Sequence, residues 1–205
     1  MNKFNASAII LAGGKSSRMD GIDKSMLQIN NITLIEHIIN QISPYFKEII
    51  ICSNDINKHG FLKGKIVPDL VLNKGPLMGI LSGLIWSNNE INFITACDIP
   101  EIPIKYIKKM MDKLGNFNMV VPIKNNKYEP LFAIYKKTPV IKYCKKAIKN
   151  DNRKISSIYK NTKVNFIKFD KKFKLHNINN LIEYNNYLNH IKIINDDNIE
   201  NKSIY

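Results

Sequence analysis

A chain of 205 residues with 44% apolar content has enough material for one sizeable core. It has no apolar run of membrane-spanning length and no leader pattern of charge, apolar core and cleavage site, so a cytoplasmic protein without a membrane partner is expected. Three widely spaced cysteines without a CxxC argue for buried thiols rather than a disulfide framework or zinc site, and a net charge of +14 asks for an anionic partner.

The first expected element is a buried strand from Ala6 to Leu11, ending at two glycines. An amphipathic helix follows over about Leu34–Ile42, with Thr33 as N-cap and Pro44 beyond it. "KEIIICSN" reads as a strand, and "KIVPD" as a short strand ending at Asp69. "GPLMGILSGLIWS" carries Leu77, Ile80, Leu81 and Leu84 at helical spacing, which makes them core. "NFITACDIP" is a strand terminating in Asp98. A helix near Ile104–Leu114, strands at "NMVVPI" and "PLFAIY", a helix near Pro139–Ile148 and a strand at "VNFIKF" complete the series. A last helix runs from about Asn179 to Ile194. The polar stretch 195–205 is set apart as a tail, leaving 1–194 as a single domain.

Strands alternating with helices imply a three-layer, Rossmann-like α/β fold with a mostly parallel central sheet. Ligands of such sheets bind beyond the carboxyl ends of the strands. Gly13 and Gly14, Asn54, Asp69 and Asp98 all fall at such ends, so they are expected to form one site.

The segment "LAGGKSSRMDGIDKSML", from Leu11 to Leu27, is the most informative. Gly13 and Gly14 permit positive φ and carry no side chains, so backbone N–H groups can approach an anion. Lys15, Arg18 and Lys24 add positive charge to the same stretch. Two familiar phosphate loops do not fit: Ile9 stands where a P-loop needs its first glycine, and G-x-G-x-x-G is absent. A Gly-Gly turn after a strand is also open to a purely structural reading.

The same segment resembles the L-A-G-G-x-S-x-R-M-G-x-D-K loop of the nucleotidyltransferase family that contains molybdenum cofactor guanylyltransferase. "VPDLVLNKGPLMGILSGL", "TACDIPEIP", "EPLFAIY" and "HNINNLIEY" resemble further family segments, in order, from about Ile9 to Tyr184. The resemblance implies transfer of GMP from GTP to the phosphate of molybdopterin, with release of pyrophosphate. It implies Arg18, Lys24 and Asp98 as catalytic residues, with Asp98 holding Mg²⁺. GTP would be bound by Leu11, Ala12, Gly13, Gly14, Lys24, Asn54, Asp69, Gly75, Pro76 and Asp98. Arg153, Asn177 and Asn179 would lie on the acceptor side, with Lys124, Lys127 and Lys154 nearby. GTP and molybdopterin are then the small-molecule partners, and molybdoenzymes or their chaperones the macromolecular ones, for a monomer or weak homo-oligomer.

Two departures from the family pattern stand out. Asp20 replaces the glycine after R-M, and Asn180-Leu181 replaces Thr-Pro. Residues 1–100 hold 9 basic and 8 acidic side chains, whereas 101–205 hold 22 and 9. That excess suits a polyanionic acceptor, but the lysines are scattered with few aromatics between them, so nucleic acid is not expected. Bland roles compete for single residues: Asp98 could cap the next helix, Asp69 could close a turn, and Lys24 could be a solvated lysine beside Asp23. A cytidylyltransferase of the same cofactor, a sugar-phosphate nucleotidyltransferase, and a non-catalytic nucleotide- or cofactor-binding module are the rival functions.

Overall fold

The computed structural model describes residues 3–13, 23–170 and 172–200. Gly14, Lys15, Arg18 and Asp20 lie outside them. The central strand β1 (Phe4–Leu11) is buried from Ala6 onward and pairs in parallel with β4 (Phe46–Cys52) on one side and β6 (Ile91–Ala96) on the other. Burial on both faces is why it reads as an unbroken apolar run rather than an alternation. Beyond β4 lies β5 (Lys65–Val67), also parallel. Beyond β6 the order is β9 (Phe132–Lys136), β7 (Met119–Lys124) and β10 (Val164–Lys168). Only β9, among these seven, runs against its neighbours.

Helices cover both faces of the sheet. On one face α1 (Leu34–Ile42) and α4 (Ile104–Asp112) bury Ile35, Ile38, Tyr106 and Met110, with Tyr187 of α6 (Leu181–Glu200) joining the same cluster. On the other, α3 (Pro76–Trp86) and α5 (Lys137–Lys149) bury Leu77, Ile80, Leu84, Val140 and Cys144. This is the expected three-layer arrangement. Among the described residues, no helix is long and apolar enough to cross a membrane.

Local chemistry explains most boundaries. Thr33 and Glu36 form a reciprocal capping box that starts α1 where the sequence places it. β5 and β6 stop at Val67 and Ala96, so Asp69 and Asp98 each sit two residues past a strand, in the loop beyond the sheet edge. Two hairpins escape the periodicity reading because their strands have two residues at most on one side: β2 (Gln28–Ile29) with β3 (Ile32–Thr33), and β7 with β8 (Lys127–Tyr128). Each turns on an Asn-Asn pair with both φ positive, at Asn30–Asn31 and Asn125–Asn126. The close approach of α3 to the sheet requires Gly83, where an added Cβ would fall 2.6 Å from Ile9 Cγ2 and 2.9 Å from Cys52 Sγ.

Candidate active site

The carboxyl ends of β1, β4 and β5, with the start of α3, enclose a cleft of about 760 Å³. Leu11, Ala12 and Gly13 form its floor. The chain stays tied to the sheet past the strand end, with Ala12 N–H donating to the Cys52 carbonyl at 2.9 Å and Cys97 N–H to that of Leu11 at 3.1 Å.

One wall is a short 3₁₀ turn, Lys24–Met26, whose N-cap is Asp23. Asp23 Oδ1 accepts from Ser25 N–H at 3.0 Å and from the Ser25 hydroxyl at 2.7 Å, and Oδ2 accepts from Lys58 Nζ at 2.9 Å. Burial works to raise the Asp23 carboxyl, but these bonds outweigh it and hold the group below the ordinary carboxylate value. Capping fixes the direction in which Lys24 leaves the backbone. Its Nζ lies 3.8 Å from Asp98 Oδ2, with both side chains mostly covered, at 19% and 24% exposure. Lys24 is thus a cleft lysine facing the other candidate catalytic residue.

Asp98 does not cap the following helix: α4 has Pro103 at its N-cap and no side-chain cap bond. Its Oδ1 is buried without a hydrogen-bond partner among the described residues. Burial raises the Asp98 carboxyl, Lys24 opposes this, and Glu183 adds to it. A buried carboxylate oxygen left unpaired beside a lysine fits a site for a hard divalent cation that takes one protein carboxylate and completes its shell with water and substrate oxygens. Among the described residues, no cluster of three or more His, Cys, Asp or Glu side chains offers an alternative metal site.

The opposite wall holds Asn54 and Asp69, which bond reciprocally. Asn54 Nδ2 donates to Asp69 Oδ2 at 3.0 Å, and Asp69 N–H donates to Asn54 Oδ1 at 2.8 Å. The pair joins the ends of β4 and β5, so Asp69 does more than close a turn. Gly75 adopts φ +76°, a left-handed conformation that favours glycine, and delivers Pro76 to the first turn of α3 without a side-chain cap. The first turn of α3 lines the cleft, as does Gly79.

Residues 8–164 match the model of the MobA-like NTP transferase domain family. The chain belongs to that family. It is 36% identical over 172 residues to a probable molybdenum cofactor guanylyltransferase of Peptoclostridium acidaminophilum, covering 80% of this chain and 77% of that one. It is 39% identical over 166 residues to the protein of the same name from Natranaerobius thermophilus, covering 78% and 80%. Among solved structures it resembles molybdopterin-guanine dinucleotide biosynthesis protein A of Archaeoglobus fulgidus, with a TM-score of 0.77 at 20% identity over 91% of this chain and 98% of that one. A CMP:2-keto-3-deoxy-manno-octonic acid synthetase complexed with CTP shares the fold, with a TM-score of 0.73 at 10% identity over 93% and 99%.

In this MobA-like NTP transferase the residues expected on the acceptor side do not form one group. Ile178 N–H donates to the Asp98 carbonyl at 2.8 Å, which brings the segment holding Asn177 and Asn179 alongside Asp98. Arg153 lies elsewhere: its Cβ is 3.4 Å from where a Gly75 side chain would begin, and Nη1 donates to the Asn73 carbonyl at 3.4 Å. It borders the start of α3, because the turn after α5 returns the chain to that side of the sheet. Lys124 is spent on the Leu175 carbonyl. Asn180 accounts for its own departure from the family pattern, since its Oδ1 accepts from Glu183 N–H at 2.9 Å and caps α6 as a threonine would.

Three groups were passed over in the sequence. Glu129 faces the Asp98 corner: burial raises its carboxyl, Lys124 opposes and Asp98 adds. Cys97 lines the cleft with its thiol pushed up to about 12 by burial. His59, outside every motif, is 1% exposed in the cleft wall. No spacing marks it; only its position five residues past Asn54 places it near the site.

Proposed function

We propose that this chain transfers GMP from GTP to the phosphate of molybdopterin, giving the guanine dinucleotide form of the molybdenum cofactor and pyrophosphate. The observation that carries the reading is Lys24 set against Asp98 beside a nucleotide-sized cleft, in a chain whose relatives at 36–39% identity are named molybdenum cofactor guanylyltransferases. In the step, an oxygen of the molybdopterin phosphate bonds to the α-phosphorus of GTP. The bond from that phosphorus to the oxygen bridging to the β-phosphate breaks, and pyrophosphate leaves with the electron pair. The attacking oxygen is already anionic, so no general base is needed. What the protein must supply is alignment and positive charge on the departing side.

Lys24 provides that charge from a turn held by Asp23. Asn54 and Asp69, rigidified by their mutual bonds, take the nucleoside end. Gly13, Gly75 and the first turn of α3 present backbone to the phosphates. Gly14 and Arg18 belong to the same cradle on the strength of the sequence resemblance. Mg²⁺ would be held by Asp98, through the oxygen that has no partner among the described residues, and would draw negative charge from the reacting phosphates. The acceptor is assigned to the Asn177–Asn179 side, next to Asp98.

The test is release of pyrophosphate from each of the four nucleoside triphosphates with Mg²⁺ and molybdopterin. GTP alone should support turnover. Equal or faster release from CTP would overturn the guanylyl assignment.

A further inference from the structure

His59 ends α2 (Ile56–His59), and its ring uses both nitrogens. Nε2 lies 2.9 Å from the Ser25 hydroxyl, and Nδ1 lies 2.8 Å from the Ser53 hydroxyl and 3.2 Å from the Asp55 carbonyl. Ser25 is fully buried and directly follows Lys24; Ser53 is 3% exposed and directly precedes Asn54. The two serines belong to opposite walls of the cleft. One closes a relay to Asp23, the cap of the Lys24 turn; the other sits on the loop whose Asn54 locks to Asp69.

We propose that His59 is a positioning residue that clamps the phosphate-side turn of Lys24 to the nucleoside-side loop of Asn54. The inference rests on the nucleotide assignment above. With the Ser25 hydroxyl proton given to Asp23, Nε2 must donate to Ser25 while Nδ1 meets the Ser53 hydroxyl, so a rigid five-membered ring with nitrogens on two edges holds two hydroxyls at a fixed separation. The bonds are buried, so water does not compete for them. The exposed Lys58–Asp23 ion pair spans the same gap, but solvent and salt screen it. His59 touches neither the phosphates nor the base in this reading; it sets how far apart the two grips stand.

The two halves of the clamp can be cut separately. In His59→Asn the amide falls near the Nδ1 position, keeping the Ser53 branch and losing the Ser25 branch. In His59→Gln it reaches the Nε2 position, with the opposite outcome. Calorimetric titration with GTP and GMP, each with Mg²⁺, reads the difference. His59→Asn should weaken GTP about threefold to tenfold and leave GMP unchanged, because only the triphosphate end loses its grip. His59→Gln should weaken GMP and GTP by the same factor. A residue that merely fills space would make the two variants alike, and identical losses, or none, overturn the proposal. If thermal melts show either variant unfolded, Ser25→Ala should repeat the asparagine pattern and Ser53→Ala the glutamine pattern, and failure to do so counts equally against it. A wild-type protein that prefers CTP would overturn the guanylyl reading and not the clamp, which is then read on CTP against CMP.

Discussion

Removing the Lys24 ammonium tests whether the cleft is built for a leaving pyrophosphate. Two unit charges 3.8 Å apart, the separation of Lys24 Nζ from Asp98 Oδ2, interact by about 4 kcal/mol at an effective dielectric constant near 20. A phosphate oxygen brought to that distance gains a similar amount, reduced by what the lysine gives up toward Asp98. The loss expected on removing the ammonium is about 2.7–4 kcal/mol, the range seen when one preorganised donor is taken from an active site. Negative charge grows on the departing phosphates as the bond breaks, so the loss should appear in kcat as well as in GTP affinity. Lys24→Ala should therefore lower kcat/KM for GTP by about 10²–10³, measured by steady-state pyrophosphate release at saturating molybdopterin. Lys24→Arg should recover part of it, since a planar guanidinium is bulkier than an ammonium. The fold should hardly notice, because a partly exposed pair beyond hydrogen-bond distance contributes about 0–1 kcal/mol. A fall of less than about tenfold, or 1.4 kcal/mol, would remove Lys24 from the reacting side and take the phosphate cradle with it.

Asp98→Asn should abolish turnover while raising Tm at pH 7. Burial lifts the folded-state pKa of Asp98 above 3.8, so the native form holds its proton more tightly than the unfolded chain, and stability is lost as pH rises through that window; the asparagine escapes this loss. The Tm advantage should shrink as pH falls toward 4, and a variant less stable at pH 7, or a pH-independent difference, would refute the linkage. Gly83→Ala should lower stability by about 1–2 kcal/mol, the overpacking cost against Ile9 and Cys52 exceeding the roughly 1 kcal/mol gained in helix propensity. Chemical denaturation reads this directly, and an alanine variant as stable as the wild type would mean that α3 does not pack where it is placed.

The part of the cleft at the strand ends is legible in the sequence because its residues are local to those ends. Each buried parallel strand shows as an apolar run, and the first polar residues after it must fall at one edge of the sheet. That logic alone gathers Gly13, Asn54, Asp69 and Asp98. It cannot find the pairing of His59 with Ser25, a contact between residues 34 apart of which only Ser25 lies in the opening motif. It also gives no sign that Gly83 is the glycine of α3 held tight against the sheet, whereas a side chain at Gly79 would meet only ordinary contacts with Leu11 and Asp69. Helical spacing shows which residues share a face, but not where on that face a neighbouring strand comes nearest. The Asn-Asn hairpins could have been read, since paired left-handed residues are what such turns demand.

Part of the basic excess in the second half of the chain is engaged within the fold. Lys124 donates to the Leu175 carbonyl, Lys136 to Gly115 at 2.7 Å and Lys137 to Ser87 at 2.6 Å. Lys105 and Lys109 lie over the Tyr106 ring, and Lys163 over Phe117. These lysines satisfy loop carbonyls and cover aromatic faces with their stems, work that charge counting cannot separate from ligand binding. Arg153 is likewise engaged, with Asn73 and Asp151, and borders the start of α3. Charge excess is therefore a poor guide to where an acceptor phosphate would sit. Geometry is a better one. The Ile178–Asp98 backbone bond makes the loop before α6 part of the wall that holds the Asp98 carboxylate, so an acceptor docking against Asn177 and Asn179 would bear on Asp98 through that bond. Glu129 and Glu183 both act electrostatically on the same corner. Lys24 and Lys124 act there in the opposite sense, so an acceptor phosphate on that side would meet carboxylates and lysines that already offset one another.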